Sequence, residues 1–114
     1  MPFTATIQSS IKTDDGCTTA SSLQVSALTA KSSFDEIIPA GTFDFAPYLA
    51  NFPAQIQGIL IIAFDAGFTV SVDGSNFSTR KYKQFLVQVA DTGVQALKIV
   101  LAVASRVQFI AVGS

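Results

Sequence analysis

The chain has 114 residues, of which 49% are hydrophobic and only 13% are charged, and it contains no histidine. Its formal net charge of −1 provides no long-range attraction to nucleic acid or to an anionic membrane surface, so neither is expected as a partner. The length predicts a single domain over residues 1–114, and a surface so poor in charge predicts that the protein covers part of itself by self-association or assembly.

Two strands joined by a turn are predicted at the start of the chain. The sequence Asp14-Asp15-Gly16 is typical of a turn between strands. In the second strand, around Leu23 to Ala27, the next residue Leu28 interrupts the alternation, which indicates either a bulge or burial on both sides. We expect this strand to end at residues 31–33. The apolar face of the first strand consists of Phe3, Ala5, Ile7 and Ile11.

Residues 34–54 are interrupted by three prolines, which predicts an aromatic-rich crossing connection. A short strand at Thr42 to Phe45 and one helical turn near Pro47 to Asn51 are expected within it. Aromatic rings are common in cores and are also enriched at the centres of interfaces, so those of this segment have two interpretations. If they form an interface, changing Phe43 and Phe45 together to Ser impairs assembly more than folding. The candidate interface rings are Phe43, Phe45, Tyr48 and Phe52.

The stretch from Ile56 to Asp73 is the most regular part of the sequence. Ile59 to Phe64 is an unbroken apolar run, as expected of a strand covered on both faces. After Asp65-Ala66-Gly67, the residues Phe68 to Asp73 alternate between apolar and polar, as expected of a strand covered on one face. The two halves predict a β-hairpin at the centre of an antiparallel core.

The remaining third of the chain is predicted to form three further strands. Turn sequences occur at residues 73–76 and at Asp91-Thr92-Gly93. A helix over residues 94–104 is the main competitor for one element, and the regular alternation of β-branched residues there favours a strand. Ala104-Ser105-Arg106 is expected to be a tight connection. The inward faces are predicted to be formed by Phe85, Val87 and Val89, by Leu97, Ile99, Leu101 and Val103, and by the strand from Val107 to Val112.

Seven or eight short strands separated by turns predict an all-β protein, either an antiparallel β-sandwich of jelly-roll-like or immunoglobulin-like type or a flattened barrel. The apolar stretches at residues 59–64 and 97–104 are shorter than the roughly 20 residues that a membrane helix needs. The first six residues lack the basic and apolar regions of a signal peptide, which predicts synthesis in a cytoplasm.

The residue types present predict no catalytic, cofactor-binding or metal-binding site, and the protein is not expected to be an enzyme. Without histidine the chain lacks the commonest general base and metal ligand, and Cys17, its only cysteine, allows neither an intrachain disulfide nor a cysteine cluster. Most of the eight carboxylates lie beside Gly or Ser in predicted turns. One basic cluster, Arg80, Lys81 and Lys83, is either a solvated loop or a docking patch for an acidic surface.

The order of these parts resembles that of small β-rich virion proteins of tailed bacteriophages, a group that includes capsid decoration (cement) proteins and short fibre or tail modules. The resemblance is carried by a polar N-terminal pair of strands, Ile38-Pro39-Ala40-Gly41-Thr42, the aromatic connection, Gly58-Ile59-Leu60-Ile61-Ile62 and a closing pair of strands ending at Ser114. It spans most of the chain.

The resemblance implies a non-enzymatic protein that is made in the host cytoplasm, forms a homotrimer and binds the major capsid protein on the virion surface, where it stabilises the phage head. A fibre or tail module that binds host-surface carbohydrate is the alternative. Many decoration proteins carry an extended N-terminal arm, whereas a regular strand is predicted here.

Overall fold

The computed structural model describes residues 2–50, 52, 54–89 and 93–114, and these form strands with one short helix. The all-β prediction is confirmed, and the sheets do not close into a barrel. The helix α1, Ala46–Leu49, matches the predicted helical turn, and in the described part of the chain no helix is long and apolar enough to cross a bilayer. The strands are β1 (Phe3–Lys12), β2 (Thr18–Leu28), β3 (Ala30–Ile38), β4 (Gly41–Asp44), β5 (Ile56–Ala63), β6 (Phe68–Val72), β7 (Gln84–Gln88), β8 (Leu97–Leu101) and β9 (Ser105–Gly113).

Two antiparallel sheets enclose the core. One has four strands in the order β3-β9-β5-β7, and the other has three in the order β4-β8-β6. Alternate residues of each sheet point into the space between them, as the period of a strand requires. Ile61, Phe68, Ile99 and Val107 are fully buried there. At one corner the sheets are joined through Tyr82, which exchanges backbone hydrogen bonds of 2.8 and 2.7 Å with Phe68 of β6.

The prediction of a β-hairpin at the centre of the core is wrong. Both strands exist, but β5 pairs with β9 and β7 in one sheet, whereas β6 pairs with β8 in the other. The bend at Phe64–Ala66 therefore carries the chain from one layer to the next. The reason is that the inward residues of both strands are apolar, and facing them across a sandwich buries both sets at once.

The described residues form nine strands rather than seven or eight, because the strand β3 was missed. Residues 31–33 were expected to end the second strand, yet β3 continues to Ile38 along β9. Its outward residues are mostly polar, as is common for an edge strand, so it resembles a connection in the sequence. Other boundaries shift slightly: Ser105 and Arg106 open β9, β8 ends before Val103, and Asp91 and Thr92 of the predicted turn lie outside the described residues.

The strands β1 and β2 form a separate two-stranded sheet, and the hairpin Phe3–Leu28 lies outside the sandwich. The anomaly predicted at Leu28 has both of the proposed features. Pairing shifts by one residue between Phe3 and Ala5, Ala27 adopts a φ of 60°, and Leu28 is fully buried. The radius of gyration is 14.8 Å, against about 13 Å for a compact chain of this length, which fits a projecting element.

Candidate interaction surface

The hairpin Phe3–Leu28 has one apolar and one polar face, because side chains alternate along each strand and cross-strand partners share a face. Register places Ile7 opposite Leu23 and Ile11 opposite Thr19. The polar face carries Thr4, Thr6, Gln8, Ser10, Lys12, Thr18, Ser22 and Gln24, together with Ala20. The apolar face carries Phe3, Ala5, Ile7, Ile11, Leu23, Val25 and Leu28, together with Ser9 and Thr19 towards the turn.

The base of the hairpin rests on the outer face of the four-stranded sheet. Gly58 of β5 makes this close approach possible, since a Cβ built there would lie 3.2 Å from Ile7 Cδ1 and 3.2 Å from Val112 Cγ2. Thr29 N–H also donates to the Gly113 carbonyl over 2.9 Å, which fixes the end of β2 to β9. Between hairpin and sheet runs a cleft of about 280 Å³, lined by both elements.

Only the base of the hairpin is covered by the sheet. Along its apolar face, Leu28 is fully buried and Ile7 is half-buried, whereas Leu23 is 54% exposed and Ile11 is 75% exposed. An open cleft of about 520 Å³ separates the outer part of the hairpin from Gln84 and Leu86 of β7. We call Ser9–Ser22, together with Leu23, the hairpin tip. It therefore presents uncovered apolar side chains on an element that is polar on its other face.

The turn of the hairpin is held by its own hydrogen bonds. Thr13 N–H donates to the Cys17 carbonyl over 2.8 Å, and Cys17 N–H donates to Thr13 Oγ1 over 3.2 Å. The Thr13 hydroxyl also donates to Asp15 Oδ1, and this bond lowers the pKa of the Asp15 carboxyl. Gly16 takes a φ of 103°, which suits glycine. The tip is thus a preformed element with Asp14, Asp15 and a free, exposed Cys17 at its end.

The outer face of the four-stranded sheet also leaves apolar side chains uncovered. Pairing aligns Ile110 of β9 with Leu60 of β5, and Leu60 with Leu86 of β7, in one row across the sheet. In that row Ile110 is 45% exposed and Leu86 is 39% exposed. At the β3 edge, Ile37 is 75% exposed. A groove of about 370 Å³ crosses this face and is lined by Ser33, Asp35, Leu60, Ile62, Gln108 and Ile110.

An ion pair borders this groove. Arg106 donates from Nε to Asp35 Oδ1 over 2.9 Å and from Nη2 to Asp35 Oδ2 over 2.7 Å, a bidentate arrangement. Gln108 donates a third hydrogen bond to Asp35, and these bonds, Arg106 first, lower the pKa of Asp35 to about 2. The guanidinium lies 4.8 Å from the ring centre of Phe64. Because Arg106 and Asp35 are partners, neither supplies an unpaired charge to the groove.

The predicted interface rings lie in and around the core. Phe45 has no exposed surface and packs among Phe43, Phe34 and Phe109, at centroid distances of 4.9, 5.9 and 4.8 Å. It is therefore a core residue, because a side chain without exposed surface cannot contact another molecule in the folded protomer. Phe43, Tyr48 and Phe52 are half-buried against the same cluster.

The predicted basic patch is exposed. Arg80, Lys81 and Lys83 lie in the segment before β7, where Tyr82 bridges to β6 and the Lys83 carbonyl accepts from Ala63 N–H over 2.8 Å. The backbone there is held at the corner between the sheets while the three cationic residues face solvent. The segment is thus anchored rather than a free loop.

Most hydrogen bonds to the described carboxylates of turns and connections come from backbone N–H groups. Asp73 Oδ1 accepts from Gln95 N–H and Ala96 N–H over 2.6 and 3.0 Å, Asp65 Oδ2 accepts from Arg106 N–H over 2.9 Å, and Asp44 Oδ1 accepts from Ala46 N–H over 2.9 Å. These bonds close turns and join elements. Among the described residues, no group of three or more Asp, Glu, Cys or His side chains lies together in a way that could hold a metal ion.

Several residues of this surface were missed by sequence reasoning. Ile11 was assigned correctly to the apolar face of its strand, but no exposed role was predicted for it. Ile110 and Leu86 were placed in strands without an exposed role. One signal was available: polar residues fill the opposite face of both N-terminal strands except at Ala20, so the apolar face is the one that needs cover.

Comparison with protein-family models, with curated proteins and with solved structures found no match for this chain.

Proposed function

We propose that this protein is a non-enzymatic structural protein of a phage virion, which self-associates as a homotrimer and decorates the capsid by binding the major capsid protein. The observation that carries the proposal is the hairpin tip, whose apolar face at Ile11 and Leu23 is uncovered in the protomer. The virion assignment rests on the resemblance in the order of the sequence motifs. A capsid partner fits a chain with a net charge of −1, because such a surface binds by apolar burial.

Leaving this apolar surface in water costs free energy. Burial of apolar area contributes roughly 25 cal/mol per Å², so an exposed Ile or Leu side chain represents about 1 to 3 kcal/mol that a partner can recover. An isolated two-stranded ribbon is also marginally stable. A hairpin that keeps a projecting apolar face therefore favours a protein whose final state is an assembly.

Decoration stabilises a shell by mass action. A protein that binds only the assembled capsid lowers the free energy of that state by an amount that grows with its concentration relative to its Kd. No reacting group is needed for this role. The neutral and polar faces of the chain serve as its solvent-facing side, while its apolar surfaces are buried between copies and against the shell.

The first test is the molar mass of the purified protein, measured by light scattering after gel filtration over a range of concentrations. A mass of three chains is expected. Co-sedimentation with capsids of the encoding phage that lack this protein then tests the capsid partner, with decorated capsids as the control because their sites are occupied. A protein that neither self-associates nor binds such capsids would overturn the proposal, and binding to host glycans instead would favour the fibre or tail module.

A further inference from the structure

We infer that the hairpin tip of one copy docks in the groove on the outer sheet face of a second copy, with Ile11 and Leu23 packed against Leu60, Ile62 and Ile110. This inference rests on the proposed self-association and names the surfaces that perform it. The two surfaces are the uncovered parts of one pair of apolar faces, of which the covered parts already pack together within each protomer.

That internal contact shows the complementarity. Ile7, on the apolar face of the hairpin, packs on Gly58 and Val112 of the outer sheet face. Ile11 and Leu23 continue the hairpin face outward. Leu60 and Ile110 line the far side of the cleft beneath the hairpin base and continue the sheet face by one row into the groove. Both elements therefore keep apolar side chains that nothing covers, and both present them on pleated strand surfaces.

The protomer cannot cover both the hairpin tip and the outer groove by itself. Its hairpin leads across the sheet towards the β7 edge, where an open cleft lies between Ile11 and Leu86. The groove extends over β5, β9 and the opposite edge strand β3. Its β9 and β3 side lies two to three strand spacings from β7, roughly 10 to 14 Å, so a tip beside β7 does not reach that side. A tip from another copy does.

Charge favours a second copy as the occupant. The turn of the tip carries Asp14 and Asp15, which outweigh the charge of the nearby Lys12, and the segment bordering β7 carries Arg80, Lys81 and Lys83. All six residues are exposed, and the salt bridge found among the described residues joins Arg106 to Asp35 instead. A tip lying along the groove and directed towards the start of β7 places its acidic turn near the basic segment of the copy that receives it.

The buried area requires more than one docking contact for each copy. The tip is about seven residues long and two strands wide, roughly 24 by 10 Å, so one docking event buries about 500 Å² in total. Stable interfaces bury at least about 1,000 Å². One contact is too small, but each copy both donates a tip and receives one. Head-to-tail contacts of this kind close into rings, and a ring of three, as in the expected trimer, gives every copy two contacts.

The test compares three variants by light scattering and sedimentation. Ile11→Ser with Leu23→Ser removes the donor surface, and Ile110→Ser removes the receiving surface. Val103→Ser is the matched control, since Val103 is 55% exposed on the β8–β9 connection, outside both surfaces. The donor and receiver variants are expected to associate at least tenfold more weakly than the wild type, and the control is expected to be unchanged.

Ile62→Ser replaces Ile110→Ser if the latter does not fold. Ile62 lines the same groove and lies on the outward face of β5, opposite Gln84 of β7 and Gln108 of β9, so its replacement leaves the core between the sheets intact. Circular dichroism and urea unfolding check each variant before its mass is measured. A loss of association in folded donor and receiver variants supports the inference, and unchanged association in both overturns it.

Mixing the donor-defective and receiver-defective variants tests the docking contact more directly. A donor-defective copy keeps its groove and a receiver-defective copy keeps its tip, so their mixture can form one docking contact. Because one contact is too small for a stable pair, we expect weak one-to-one association at high concentration, which neither variant shows alone. Cys17 supplies a direct probe at the end of the tip. A photo-crosslinker on Cys17, in a mixture of isotope-labelled and unlabelled wild-type chains, is expected to join different chains at the outer sheet face or at residues 80–84.

The outcomes separate this inference from the proposed function. A wild-type trimer that persists in both variants, or crosslinks at another surface, overturns the docking inference and leaves self-association standing. A wild-type monomer at every concentration overturns the docking inference, and the decoration proposal then depends on the capsid-binding result. Weakened variants together with one-to-one pairs in the mixture support both.

Discussion

Replacing Phe45 with alanine is expected to destabilise the protomer by about 3 to 5 kcal/mol, the range for removing a buried aromatic ring from a core. Phe45 is the residue between β4 and α1 in the chain. Its ring has no exposed surface and contacts Phe43 and Phe109. Alanine leaves a cavity among these rings that the two sheets cannot close without shifting. Because a domain of this size is stable by about 5 to 15 kcal/mol, the loss is a large fraction of the total.

The assay is urea unfolding followed by circular dichroism, with thermal unfolding as a second measure. A loss of about 4 kcal/mol corresponds to a fall in Tm of roughly 15 to 30 °C for a domain of about 100 residues. The matched control is Phe77→Ala, since Phe77 is 40% exposed and its replacement is expected to cost less than about 1 kcal/mol. Equal losses for the two variants would refute the placement of Phe45 in the core.

The burial of Phe45 also reverses an expectation drawn from the sequence. Changing Phe43 and Phe45 together to Ser was expected to impair assembly more than folding. Because Phe45 is buried, we now expect the double variant to lose the protomer fold. It therefore cannot report on an interface, whereas changes at exposed hairpin and sheet positions can.

Two further predictions concern the ion pair and a close backbone contact. The pKa of Asp35 is lowered to about 2 from an unfolded value near 4, so its contribution to stability is present above about pH 4 and is lost as the pH falls towards 2. The difference in urea midpoint between the wild type and Asp35→Asn should shrink over that interval, and a difference independent of pH would contradict the assignment. Gly113→Ala places a Cβ 2.1 Å from the Gln55 carbonyl oxygen and is expected to cost about 1 to 3 kcal/mol or more, whereas Gly58→Ala meets only side-chain carbons at 3.2 Å and should cost less. Equal unfolding midpoints for the two glycine variants would show that the backbone at Gly113 yields.

The candidate surface could be predicted from the sequence only in part. Ile11 and Leu23 were recognisable as apolar positions on strands, and the low charge predicted that apolar surface would be covered by a partner. Which apolar positions remain uncovered depends on where the sandwich ends beneath the hairpin. The sequence contains no local signal for that boundary, and the aromatic segment, which had the stronger composition signal, proved to supply Phe45 to the core.

Eight of the nine strands and most of their inward faces could be predicted from the sequence. The pleat turns successive side chains to opposite sides, so the alternation shows which face is apolar. Phe68, Val70, Leu97 and Ile99 were placed correctly for this reason. The pairing of the strands could be determined only from the tertiary structure. An apolar face must be covered, but the sequence of a strand does not say which element will cover it. Here β5 and β6 lie in different layers and face each other across the core instead of pairing. For the same reason the fold left the hairpin tip and the outer groove uncovered, and these are the surfaces on which the proposed assembly depends.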